Sequence, residues 1–196
     1  MTTTADQQAA TYPTAIAFCM TSALWFAGAT SFGMIAAGYL IAPDFLANIG
    51  WLHFGKARPI HVNLVLFGFV TPGLLAASFY FIPKLLRTEL YSETLGVFTA
   101  ILWNITLIAA VFGIGAGYSQ GREYAELPWA VDIMVVILFV LVIINVVMTI
   151  RQRHESILYV SVWYTTAAVV LTASTYIIGN VIWKPDTGAL LGIPDA

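Results

Sequence analysis

Apolar residues run in five long blocks along this chain, each broken off by a short cluster of prolines, glycines or charges. The blocks are roughly Thr14 to Ala42, Pro59 to Pro83, Thr94 to Gly117, Trp129 to Ile150 and Ile157 to Trp183. A bilayer core of about 30 Å takes about 20 apolar residues in a helix, and each block meets that length. Pro43-Asp44 closes the first block and Pro83-Lys84 the second. Gly117 to Pro128 separates the third from the fourth, Arg151-Gln152-Arg153-His154-Glu155 the fourth from the fifth, and Pro185 and Gly188 end the fifth. A membrane barrel needs short segments that alternate with period two. Runs such as Ile133 to Val147 do not alternate. The pattern predicts an all-α integral membrane protein with five transmembrane helices: a polar tail over 1–13, a membrane domain over 14–183 and an outer C-terminal segment over 184–196.

Composition agrees. Of 196 residues, 60% are hydrophobic and 9% charged, against roughly 25% charged in a soluble domain. The mean hydropathy is +0.86. The net charge of −2 and the lack of a basic arm give no sign of a nucleic-acid partner, and none is expected. Cys19 is the only cysteine, so neither an internal disulfide nor a cysteine-based metal site forms, and it reads as apolar filler. Residues 1–11 are polar without Lys or Arg, unlike the basic flank of a secretory signal, so the first block reads as a retained helix. Gly28, Gly33 and Gly38, then Gly113, Gly115 and Gly117, permit close helix approach.

Charge counting does not orient the bundle. With the N-terminus inside, the inner loops hold Lys84, Arg87, Arg151 and Arg153, and the outer segments hold Lys56, Arg58, Arg122 and Lys184. The outer cations Lys56, Arg58 and Arg122 flank His61 and the acidic pair Glu123 and Glu126. A bound anion is one reason for cations to gather there.

His61 carries the sharpest chemical question. Ionisable groups inside membrane segments are costly and mark functional positions. His61 follows Arg58-Pro59-Ile60, and Pro59 suits the first turn of a helix, which places His61 about one turn below the surface. A neutral imidazole can ligate iron through one nitrogen and hand the other N–H to an acceptor. Gly68 and Gly73 further along leave room for a flat macrocycle. The competing reading is an interfacial histidine bonded to a carbonyl or to water. His53 and His154 lie in turns and read as solvated. In Gly121-Arg122-Glu123-Tyr124-Ala125-Glu126 the two carboxylates suit a hard cation such as calcium, although two are too few alone. A solvated loop is the alternative. Asp132 lies one turn into the fourth helix, where it complements the helix dipole or carries protons. Asn104 and Asn145 read as interhelical hydrogen-bond partners. No phosphate-binding glycine loop, nucleophile elbow or HExxH occurs.

Together these residues resemble a known family. Gly55-Lys56-Ala57-Arg58-Pro59-Ile60-His61-Val62-Asn63, continued by Phe67-Gly68-Phe69 and closed by Tyr80-Phe81-Ile82-Pro83-Lys84-Leu85, is similar to the second helix of subunit I of the haem–copper oxidases, most of all the cbb-type cytochrome c oxidase. Gly121 to Glu126 resembles that family's outer loop between helices 3 and 4, and Ile157 to Tyr164 its fifth helix. The resemblance runs from about Ser22 onward. It implies that His61 is one axial ligand of a low-spin haem b, that Arg58 and Arg122 neutralise haem propionates, that Glu123 holds a calcium ion, and that Glu126 supports that loop. It implies a cytoplasmic N-terminus and periplasmic C-terminus in a bacterial inner membrane, and c-type cytochrome subunits as electron donors.

The departures matter as much. The family's subunit I has about twelve helices, and its second haem b ligand, its copper ligands and its high-spin haem ligand belong to later ones. No catalytic residue of the oxygen site is therefore expected here. The chain reads as an N-terminal piece or one half of a split subunit, completed by the remaining helices of subunit I. Thr175-Tyr176 stands where the family's fifth helix often has a histidine. The resemblance implies part of a respiratory terminal oxidase that reduces oxygen and translocates protons. The equivalent part of a nitric oxide reductase shares the histidine and the Gly-Arg-Glu loop. A non-catalytic packing subunit without haem is the rival of another class.

Overall fold

The computed structural model describes residues 12–46, 48–120 and 125–182. Five helices in it are long and apolar enough to cross a membrane: α1 (Pro13–Ile41), α2 (Phe54–Leu86), α3 (Glu93–Ala116), α4 (Trp129–Arg151) and α5 (Val160–Val181). Successive helices run in opposite directions across the bundle. His61 and the α3–α4 connection therefore lie at one end, with Pro13 and the α2–α3 and α4–α5 turns at the other.

Each boundary has a local cause. Pro13 opens α1, where its missing N–H leaves nothing unpaired. The N–H of Thr14 donates to Oε2 of Glu93 at 2.9 Å, and the Thr14 hydroxyl donates to the same oxygen. One carboxylate from the first turn of α3 thus also neutralises the start of α1. Ser92 caps α3 through its hydroxyl, which accepts from the N–H of Leu95 at 3.1 Å. Gly117, at φ 94, closes α3 in the left-handed region that only glycine enters cheaply.

α2 differs most from the expected span. It begins at Phe54 and runs 33 residues to Leu86, about 50 Å at 1.5 Å per residue. Pro59 lies inside it, in the second turn. The helix starts earlier because the His53 carbonyl accepts from the N–H groups of both Lys56 and Ala57, at 2.8 and 2.9 Å. Pro83 likewise fails to end it. Arg87 does, at φ 52, with the N–H of Thr88 returning to the Pro83 carbonyl at 3.0 Å.

Residues Leu64–Val70 of α2 form a π-helical stretch, and Pro72 explains part of its bonding. In that register the Phe67 carbonyl would pair five residues on, with Pro72, which has no N–H. The indole of Trp103 donates to it instead, at 2.7 Å. The Phe69 carbonyl accepts from the Ser22 hydroxyl at 2.8 Å. The widened turn is thereby stitched to α3 and α1. Trp103 is fully buried among Phe18 and Phe139. We expect Trp103→Phe to leave the carbonyl unpaired in an apolar core, lowering stability by about 1–3 kcal/mol. Thermal unfolding of the detergent-solubilised protein measures this, and an unchanged midpoint would contradict it.

α1 lies along α2 and packs also on α3. α4 sits against α3 and the second half of α2, and α5 packs chiefly on α4. In their most apolar windows α1 and α5 are only 17% and 22% buried, against 39–44% for the other three. The two outermost helices therefore turn broad apolar faces, including Met20, Leu24, Met34, Trp163 and Leu171, away from this core.

Candidate functional site

The His61 end is built by α1, α2 and the segment joining α3 to α4. His61 lies seven residues into α2, about 10 Å along the axis rather than one turn, because the helix starts upstream of Pro59. Its imidazole crosses to α1, where Nδ1 stands 2.8 Å from the Ala29 carbonyl. A carbonyl only accepts, so Nδ1 carries the hydrogen and donates. In the neutral ring this leaves the lone pair on Nε2, which makes no hydrogen bond among the described residues.

Gly33 makes this seat possible. A Cβ there would stand 2.7 Å from Cε1 and 2.8 Å from Nδ1 of His61. The ring thus lies against bare backbone, held at one nitrogen and half-buried. On α2 it is flanked by half-buried Val62 and Val65 and exposed Leu66 and Phe69. A histidine fixed through one nitrogen, with the other presented as a lone pair beside an uncovered apolar face, fits axial ligation of a haem iron. Gly68 and Gly73 do not provide the room for a macrocycle that their spacing suggests. A Cβ at Gly68 would meet the Cβ of Trp25 at 2.8 Å, and one at Gly73 the Ser22 hydroxyl at 3.1 Å. Both glycines admit α1.

The other candidates separate into groups. Arg58 is half-buried and, three residues before His61, shares its side of the helix. Lys56 is taken up by the fold: its ammonium donates to the Gly115 carbonyl at 2.8 Å, at the C-terminal end of α3, where a cation is favoured. No bound anion is needed to explain that lysine. Glu126 is only 4% exposed and accepts from the Asn63 side-chain amide at 3.2 Å. Asn63 donates also to the Pro59 carbonyl at 2.9 Å. The α3–α4 connection is thus pinned to α2 one half-turn beyond His61. Arg122 and Glu123 lie outside the described residues. Among the described residues, no three His, Cys, Asp or Glu side chains gather to hold a metal ion.

Asp132 is fully buried, with Oδ2 accepting from the Gln120 amide at 2.6 Å and Oδ1 from the Tyr176 hydroxyl. Gln120 also donates to the Leu127 carbonyl at 2.7 Å. Asp132 therefore ties both ends of the α3–α4 connection to α5. Gln120 does not stand out in the sequence, and Tyr176 does so only as a residue standing where a histidine is often found, not as a partner of Asp132. The available signal was Asp132 itself, since a carboxylate in a membrane helix demands donors, and the end of α5 returns to the same level. Asn104 joins three helical turns, accepting from the Trp25 indole and donating to Thr21, both at 2.8 Å. Asn145 holds the main chain of Ser92 through its oxygen at 3.2 Å and its amide at 2.9 Å. His53 and His154 are exposed.

Comparison with known proteins shows the family. The family described as cytochrome c and quinol oxidase polypeptide I matches residues 14–187. The cbb3-type cytochrome c oxidase subunit CcoN1 of Stutzerimonas stutzeri is 28% identical over 177 residues, covering 90% of this chain and 37% of that protein. Cytochrome c oxidase subunit 1 of Rhodobacter capsulatus is 36% identical over 132 residues, 67% of this chain and 25% of that one. A nitric oxide reductase subunit of Stutzerimonas stutzeri is 26% identical over 146 residues, 67% of this chain and 30% of that one. The chain spans about a third of the length of the curated relatives it matches. By a match that takes in four of its helices whole and nearly all of α1, the chain belongs to the cytochrome c and quinol oxidase polypeptide I family, which is subunit I of the haem–copper oxidases.

Proposed function

We propose that His61 is one axial ligand of a low-spin haem b, and that this chain forms one face of that haem in a respiratory oxygen reductase. The observation that carries the reading is the Nδ1 hydrogen bond to Ala29, which leaves the Nε2 lone pair for iron. When bound, the haem would supply one-electron transfer toward an oxygen-reducing haem–copper site. That site, with its high-spin haem and copper, and the second axial ligand would come from the remaining helices of subunit I, in this polypeptide or another. The chain's own residues orient the imidazole, keep its outer face apolar and fix the neighbouring connection through Glu126 and Asp132.

Arg58 and Arg122 would neutralise the propionates. Glu123 would hold a calcium ion, with Glu126 supporting the connection through Asn63. The complete assembly would take electrons from c-type cytochrome subunits, reduce oxygen to water and translocate protons across a bacterial inner membrane. The N-terminus would be cytoplasmic and the C-terminus periplasmic. We expect Glu123→Gln to weaken calcium retention, read by metal analysis after gel filtration, while haem b stays bound. Complete loss of haem b would give Glu123 a different role.

The relative named as a nitric oxide reductase supports a second reading, the equivalent part of such an enzyme. Oxygen and nitric oxide consumption by the assembled complex separate the two. Oxygen uptake driven by reduced cytochrome c supports the oxidase. Nitric oxide consumption without oxygen uptake supports the reductase. A complex without a low-spin haem spectrum defeats both and leaves a packing role without haem.

A further inference from the structure

At the end of the bundle opposite His61, α4 and α5 part around a groove of about 220 Å³ lined by Val147, Ile150, Leu158, Val162 and Thr166. The Thr166 hydroxyl donates to the Val162 carbonyl at 2.8 Å, so the wall it offers is its methyl side. Arg151, the last residue of α4, and Trp163, 62% exposed, complete the lining. An apolar slot ending in a cation beside an exposed indole follows the order of layers at a membrane boundary: acyl chains, interfacial aromatic, headgroup charge.

The other arginines and the lysine at this end are already engaged, whereas the exposed Glu89 of the α2–α3 turn has no hydrogen bond or ion pair among the described residues. Arg87 pairs with Glu155 at 3.4 Å, Glu93 caps α1, and Lys84 donates to the Tyr80 hydroxyl at 2.6 Å. Arg153 donates to the Ile150 carbonyl at 3.2 Å and so serves the C-terminus of α4. Arg151 has no hydrogen bond or ion pair among the described residues and is exposed. A cation at a helix end is usually explained by capping, but here Arg153 does that work.

We infer that this groove binds an anionic phospholipid, one acyl chain lying between α4 and α5 and the phosphate headgroup resting on Arg151. The inference does not depend on the haem. Charge complementarity selects the occupant: an apolar helix from another part of the protein would fill the slot and leave Arg151 without a partner.

Native mass spectrometry of the full chain, with the subunits it purifies with, tests this in nanodiscs of phosphatidylglycerol and phosphatidylcholine. One arginine at a membrane surface corresponds to about a five-fold preference for the anionic lipid. We expect that preference in the native chain, its loss in Arg151→Gln and its survival in Arg151→Lys. Thr166→Phe fills the groove and should reduce retention of both lipids. Equal retention by the native chain overturns the proposal, as does a preference unchanged in Arg151→Gln or lipid retention unchanged in Thr166→Phe. Displacement of the lipid by inorganic phosphate alone also overturns it. If Arg151→Gln fails to fold, Arg151→Lys and Thr166→Phe still decide.

Discussion

Alanine at position 61 is expected to abolish the low-spin haem b band of the assembled complex and to lower its turnover by more than about 100-fold. That figure is the upper end of what changes to outer-shell partners of a metal ligand do, and His61 is proposed as the ligand itself. A low-spin haem needs strong ligands on both faces. With one gone, the iron either shifts to a high-spin spectrum or the haem is lost on purification. The substitution also removes the bond to the Ala29 carbonyl. That bond is worth about 1 kcal/mol, too little to dismantle a five-helix membrane bundle. A normal yield of complex with its partner subunits, combined with a missing haem b band, isolates the ligand role. An unchanged reduced-minus-oxidised spectrum in the alanine variant would defeat the proposal.

The helices were legible because a bilayer permits few solutions. Backbone groups without water must pair within the segment, so block length and polar punctuation suffice to find a span. Their ends were less legible. Pro59 and Pro83 signal boundaries in isolation, yet both lie inside α2, since the His53 carbonyl and the left-handed Arg87 supply closures that proline rules do not anticipate. The π-helical stretch was invisible, because it depends on a donor 36 positions away, the Trp103 indole. At the site, the rarity of His61 in an apolar chain announced it. The spatial relations did not: Asn63 with Glu126 and Tyr176 with Asp132 are set by which helix faces meet, and nothing local encodes them. Lys56 shows the converse error. It sits near the other outer cations in sequence, but its reach to Gly115 makes it a helix-end contact.

Gly33→Ala offers the sharpest separation of site geometry from helix chemistry. In a helix interior, alanine is favoured over glycine by roughly 0.5–1 kcal/mol. Helix propensity alone therefore predicts that both Gly33→Ala and Gly28→Ala strengthen α1. Contact predicts that they diverge. A Cβ at Gly28 finds its nearest neighbours at 3.5 Å on Trp25 and 3.8 Å on Leu64, which is ordinary packing. A Cβ at Gly33 meets the imidazole of His61 at 2.7 Å, closer than carbon atoms tolerate. Nor can the ring swing away freely, because its Nδ1 hydrogen is held by Ala29 on the same helix face one turn earlier. Either that bond breaks and the ring rotates, or α1 and α2 move apart. Overpacking of this kind costs about 1–3 kcal/mol, enough to outweigh the propensity gain. We expect Gly28→Ala to leave thermal stability and the haem b spectrum at native values or slightly improved. Gly33→Ala should lower the unfolding midpoint and, on the proposed ligation, shift or broaden the low-spin band as Nε2 turns from the direction proposed for iron, and Gly33→Val should remove the band. If the two alanine variants behave alike in both measurements, the imidazole is not seated against Gly33, and Nε2 is not held toward iron as proposed.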